Sequence, residues 1–225
     1  MVTQYTSFLP PNVALQCTPT ELACLLTLAD LAEDQAVLRA DQVASAHELQ
    51  GLQRLYKRNL VTITGDGTLS LTTNGCLLAH HLQIRHRLLE RFLCDALGVP
   101  WIFVHREAMC LASSASPHFF ERVVELTRHA TVCPHGNPIP GRSAPLVNEQ
   151  RLATAPFGQR CRLVRIAEWV SHAPHRLQRL WSHEVLPGCT LIRVPDPLHR
   201  YVVRLNQRSL VLGQRMAEAL FVVVE

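Results

Sequence analysis

The stretch Cys133-Pro134-His135-Gly136-Asn137-Pro138-Ile139-Pro140-Gly141 decides the reading of this chain. Prolines at 134, 138 and 140 fix φ and remove backbone donors, while glycines at 136 and 141 permit turns. Neither a helix nor a strand can run through it, so it is read as a stiff loop of fixed shape. Upstream lie His86-Arg87-Leu88-Leu89-Glu90-Arg91-Phe92-Leu93, Leu97-Gly98-Val99 and Val104-His105-Arg106-Glu107-Ala108. Leu77, Leu78, Leu82, Leu88, Leu89, Phe92, Leu93 and Leu97 recur at helical spacing, which predicts one long helix over 73–97, stopped by Gly98. A shorter helix is expected over 102–114, and Ser116-Pro117 caps another carrying Phe119, Phe120, Val123, Val124 and Leu126. Apolar residues on more than one face of these helices suit a dimer core or a plain monomeric one.

A chain of 225 residues, 48% hydrophobic and 18% charged, can bury a sizeable core and is not a disordered tail. Its formal charge of +4 permits nucleic acid as a partner without demanding it. The eight cysteines are scattered with no C-x-x-C pair, which fits reduced cytosolic thiols better than a disulfide framework. No apolar run reaches the ~20 residues of a membrane helix, and residues 1–16 lack the pattern of a secretory signal. The expectation is a cytoplasmic chain with no membrane partner. Nucleophile elbows, phosphate loops, dinucleotide fingerprints and H-E-x-x-H are all missing, so no enzyme and no small-molecule substrate are expected.

Thr18-Pro19-Thr20-Glu21 and Ser45-Ala46-His47-Glu48 are capping boxes that open two helices. The first buries Leu22, Leu25, Leu26 and Ala29; the other buries Leu49, Leu52, Leu55 and Tyr56. Between them a further helix is expected over 34–44, with Val37 and Ala40 inward. Val61-Thr62-Ile63-Thr64, Gly65-Asp66-Gly67 and Leu69-Ser70-Leu71 read as a hairpin. Three helices and a hairpin are the order of a winged helix-turn-helix. Gln50, Gln53, Arg54, Lys57 and Arg58 then lie on the polar side of the recognition helix. Residues 142–155 read as a loop. Short β-branched strands follow at 161–166, 189–194, 201–205 and 221–224, with a helical turn at 176–181.

The long helix, the Leu-Gly break, the His105 helix and the proline-glycine loop together resemble the metal-binding and dimerisation domain of the iron- and manganese-dependent repressors, the DtxR/MntR family. The resemblance covers roughly residues 60–225 and is strongest over 86–141. It implies an α+β chain: a winged helix-turn-helix at 1–72, an all-α metal-binding and dimerisation domain at 73–141, a linker at 142–154, and an SH3-like, FeoA-like β-barrel at 155–225. It further implies a homodimeric repressor of metal-homeostasis genes that binds a double-stranded DNA operator. The implied cofactor is Fe2+ or Mn2+, with Zn2+, Co2+ or Ni2+ possible in vitro.

His86 and Glu90, four apart, share a helix face, and His105 follows on the next helix. By themselves they are an ordinary surface pair and an unrelated histidine; as a set they suit a divalent first-row metal. They match the family's ancillary metal ligands, and Arg87 and Asn137 match its anion contacts. Cys133 stands where the family often has Ser, and read alone is a soft ligand or a small apolar residue. His175 is a weaker candidate ligand; the family's borrowed Glu and Gln fall on Ala173 and Arg176. The family's primary-site ligands align with Leu22, Met109, Ala112 and Ser113, a largely donor-free set. Two other readings stay open. One is a DNA-binding dimer independent of metal, or sensing redox state or another ligand. The other is an iron-transport accessory module that binds no DNA.

Overall fold

The computed structural model describes residues 17–43, 45–142, 148–198 and 200–225. The 1–16 segment, read above as lacking a secretory signal, and 143–147 of the linker lie outside the described residues. The chain divides into two units: residues up to 98 with 106–130, and 99–105 with 131–225.

In the first unit, α1 (Pro19–Glu33) and α2 (Ala46–Lys57) open on the two capping boxes. Strands β1 (Leu38–Arg39), β2 (Val61–Ile63) and β3 (Thr68–Leu71) pair antiparallel in the order β1-β3-β2. The long helix is α3 (Thr73–Leu97), closed by Gly98 in the left-handed region. Most of α4 (Val104–Ser114) and all of α5 (Pro117–Leu126) complete the unit. Leu22, Leu25, Leu55, Leu82, Leu88 and Leu89 are fully buried. Phe92 of α3 meets Phe119 of α5 edge-on, and Arg85 stacks over Phe120 while donating to the Ala112 and Ala115 carbonyls.

The helix expected over 34–44 does not form. Asp34 caps α1, Gln35 takes φ +53, and the chain turns out of the helix. Leu38 and Arg39 then pair with Leu69 and Thr68, leaving one 3-10 turn, Ala40–Gln42. The segment has too few inward apolar side chains to form a buried face; Val37 is 69% exposed. The side of α2 that such a helix would cover stays open, so Leu49 and Tyr56, expected in the core, are exposed. They line a groove of about 380 Å3 with Val43, Leu52, Val61 and Ile63.

The second unit is built on a six-stranded antiparallel sheet. Its strands in chain order are β4 (Gln150–Arg151), β5 (Arg160–Ile166), β6 (Thr190–Val194), β7 (Tyr201–Leu205), β8 (Arg208–Leu212) and β9 (Leu220–Val224), with α6 (Pro174–Ser182) and α7 (Gln214–Ala219) interspersed. The spatial order is β4-β9-β5-β6-β7-β8, an SH3-like arrangement whose pairings do not close into a barrel among the described residues. Residues 150–154, read as loop, form β4 and a 3-10 turn because Leu152 is buried and Gln150 and Arg151 pair with β9.

The proline-glycine loop seats on β5. Val132 bridges Pro138, Cys133 N donates to Asn137 O, and Ile166 N donates to His135 O. At Gly136, φ is +87 and an added Cβ would meet Val164 O at 2.1 Å. Gly136→Ala is therefore expected to lower stability by at least ~1–3 kcal/mol. Gly213→Ala, where a Cβ meets open space, should be nearly neutral. Urea unfolding of the two variants checks this; equal midpoints would contradict it.

Candidate metal centre

Each unit holds its own set of donor atoms. In the first, His86 and Glu90 sit one turn apart on α3, with Nε2 and Oε1 3.1 Å apart and both side chains buried. Arg87, 1% exposed, faces α1 instead. Its Nη2 donates to Asp30 Oδ1 at 2.8 Å and Glu33 Oε2 at 2.6 Å, and its Nη1 donates to Glu33 Oε1 at 3.1 Å. Gln83 Nε2 adds a 2.8 Å bond to Asp30 Oδ1. A buried guanidinium needs such partners, since an unpaired buried charge is strongly unfavourable.

In the second unit, Glu168 is the hub. It opens the 3-10 turn Glu168–Val170 just after β5 and is 3% exposed. Its Oε1 lies 3.0 Å from His105 Nδ1 and accepts from Ser171 Oγ; its Oε2 accepts from Asn137 Nδ2 at 2.8 Å. An ionised carboxylate only accepts, so this contact puts the proton of His105 on Nδ1 and the lone pair on Nε2. His135 is fixed the other way round. Its Nε2 must donate to the Trp101 carbonyl at 3.1 Å, and its Nδ1 faces Cys133 Sγ at 3.8 Å and Glu168 Oε1 at 3.9 Å. Cys133, His135 and Glu168 each present a ligand atom within 4.8 Å of one another.

Glu168 and His135 were missed from the sequence, and Cys133 was left as one alternative. The signal for Glu168 was available: it is the sole acidic residue between Glu149 and Glu184. His175 is exposed on the first turn of α6 and belongs to none of the ligand clusters among the described residues. The expected anion contacts also have other partners. Arg87 is engaged by Asp30 and Glu33, and the Asn137 amide donates to Ile166 O and Glu168.

On α2, Gln50, Gln53, Arg54 and Lys57 are exposed as expected. Arg58 is not available in the same way: its Nη1 donates to Glu21 Oε1 at 3.1 Å and contacts Cys17 Sγ. Burial raises the Glu21 pKa, but hydrogen bonds from Thr18 and Arg58 outweigh it and hold the carboxyl below its ordinary value.

The model of the iron-dependent repressor metal-binding and dimerisation domain matches residues 72–141, and that of the FeoA domain matches residues 150–224. The iron-dependent repressor IdeR of Mycobacterium leprae is 28% identical over 213 residues, which is 87% of this chain and 93% of that protein. The chain belongs to the iron-dependent repressor family. IdeR of Mycobacterium bovis is 31% identical over 156 residues, 67% of this chain and 66% of that protein. The solved structure of ScaR with bound Zn2+ is 25% identical with a TM-score of 0.70, covering 90% of this chain and 98% of that one.

Leu22 and Ala112 are fully buried apolar residues, and Ser113 donates to the Cys110 carbonyl. What does link α1 to α3 is the Arg87 ion-pair set. Arg87→Met, which removes the guanidinium from buried Asp30 and exposed Glu33, should destabilise the chain by about 1.5–3 kcal/mol. Neutralising the partners as well, in Arg87→Met/Asp30→Asn/Glu33→Gln, should recover part of that loss. Denaturant titration of the two variants measures it, and a loss under ~1 kcal/mol for Arg87→Met would show that the set bears little load.

Proposed function

We propose that this chain is a homodimeric, cytoplasmic DNA-binding regulator of metal-homeostasis genes in which an ancillary-type metal site is kept and the primary one is replaced by a buried ion-pair tie. The observation that carries this reading is the full engagement of Arg87 by Asp30 and Glu33 in a chain with Leu22, Ala112 and Ser113 at primary-ligand positions. The division into 1–72, 73–141, 142–154 and 155–225 belongs to the same proposal; the spans of the two family models support it.

His86, Glu90 and His105 are the proposed ligands. Imidazole nitrogen and carboxylate oxygen suit Fe2+ or Mn2+, and accept Zn2+, Co2+ or Ni2+. A bound divalent ion supplies positive charge and a cross-link among these side chains. The work of the chain is to present them. The α3 helix puts His86 and Glu90 on one face, and Glu168 fixes the His105 tautomer so that Nε2 is the donor atom. Cys133 and His135 offer a softer pair against the same Glu168. DNA is read by Gln50, Gln53, Arg54 and Lys57 of α2. Dimerisation uses the exposed apolar side chains Leu77 and Leu97 of α3 and Phe119 and Leu126 of α5.

Because the ion pairs already hold α1 to α3, operator binding should persist in chelator and tighten less than about tenfold with Mn2+ or Fe2+, a difference under ~1.4 kcal/mol. A gel shift on the chain's own promoter region tests this; binding lost entirely in chelator would restore a metal trigger. In the same assay Arg54→Ala should weaken binding by ~1–3 kcal/mol if it reads a base. Unchanged binding by the Arg54/Lys57 double variant would remove α2 as the reading helix.

Metal titration into chelator-stripped protein should show one ion per subunit. His86→Ala or His105→Ala abolishes it, and Met109→Ala leaves it. Affinity falls below neutral pH because protonated imidazole cannot ligate. Binding that survives His86→Ala would place the site elsewhere. Sedimentation at micromolar concentration should give twice 25.3 kDa, with or without metal; a monomer throughout would contradict the dimer.

A further inference from the structure

The charge of this chain is divided unevenly. Residues 131–225 carry twelve arginines against six carboxylates, a net +6, whereas the remainder carries ten basic and twelve acidic residues, a net −2. The positive balance lies in the unit of the six-stranded sheet, not in the unit that contains α2.

Most carboxylates of that sheet unit are already occupied. Glu149 pairs with buried Arg165, Asp196 with Arg200, Glu168 accepts from His105 and Asn137, and Glu218 accepts from Gln214. The arginines are another matter. On β5, Cys161 and Leu163 point into the core, so Arg160 and Arg162 point out. Register places Arg160 opposite Ile192, Ile192 opposite Arg204, and Arg204 opposite Ser209; Arg162 lies opposite Thr190. Directly paired residues share a face. Arg160, Arg162 and Arg204 therefore stand together on the outer face, separated by Thr190 and Ile192. From strand and residue spacings, the three backbone positions form a triangle with sides of roughly 7, 10 and 12 Å. The acid beside them is Glu225, at 3.6 Å from Arg160 and 3.9 Å from Arg162, and both pairs are solvent-exposed. Pairs of that kind are weak and yield to a stronger anion.

We infer that this outer face of the sheet binds the phosphate backbone of duplex DNA, supplying the non-specific affinity that the net-negative α2 unit lacks. Arginine forks suit phosphate oxygens. The residues between them are small or aliphatic rather than aromatic, so the face offers no stacking platform for unpaired bases. The inference rests on the DNA-binding reading above, and the test separates the two.

The probe is a duplex of random sequence, titrated with full-length protein over a range of salt concentrations. Wild type should bind with a steep negative slope of log K against log salt. Arg160→Gln/Arg162→Gln/Arg204→Gln should flatten that slope by ~0.9 per lost contact, while the preference for the promoter over random sequence is unchanged. Glu225→Gln should act oppositely and tighten binding, which guards against a folding artefact in the triple variant. An unaltered slope in the triple variant overturns the inference even if the promoter is bound. Loss of promoter preference with a triple-sensitive slope overturns the operator reading and leaves the inference standing. Competition by polyglutamate as effective, per charge, as duplex DNA would assign the face to an acidic protein instead and overturn it.

Discussion

A single guanidinium organises the first unit. Arg87 is buried on α3, where an unpaired charge could not persist, and its fork is filled by Asp30 and Glu33 from α1. The geometry is bidentate on Glu33, and Gln83 satisfies Asp30 from the same helix. Apolar burial alone, through Leu22, Leu25 and Leu82, would hold the two helices together while permitting slippage. The ion pairs set which turn faces which. The position of α2 follows, because it packs on α1 with Gly51 close against Thr20 and Cys24.

The second unit obeys a similar rule. Glu168, buried after β5, must be satisfied, and His105, Ser171 and Asn137 do so from three directions. The proline-glycine loop is stiff because Asn137 and His135 have to arrive at fixed places, and Gly136 lets its backbone lie against Val164 and Arg165. A flexible loop would lose those bonds to water. The same polar network presents imidazole, thiol and carboxylate atoms close together.

Much of this was legible in the sequence where local chemistry decides the outcome. The capping boxes at Thr18 and Ser45, the hairpin around Asp66 and the Gly98 stop all depend on residues within a few positions of each other. His86 and Glu90 were legible for the same reason, being one helical turn apart. The misses depend on distant partners. A helix over 34–44 looked reasonable until β3 offered Leu38 and Arg39 a strand, and Leu49 and Tyr56 lost their cover with it. The carboxylates that Arg87 meets lie 54 and 57 residues away, beyond any local pattern. Glu168 was not singled out because the 3-10 turn that carries it has no periodicity to read.

The central claim is that α1 is docked by ion pairs and not by metal. Native-state hydrogen exchange of the α1 amides, in chelator and with saturating Mn2+, tests it directly. Equal slow exchange in both conditions is the predicted result. Fast exchange across α1 in chelator, slowed only when Mn2+ is added, would contradict the account and return control of the winged helix to the metal.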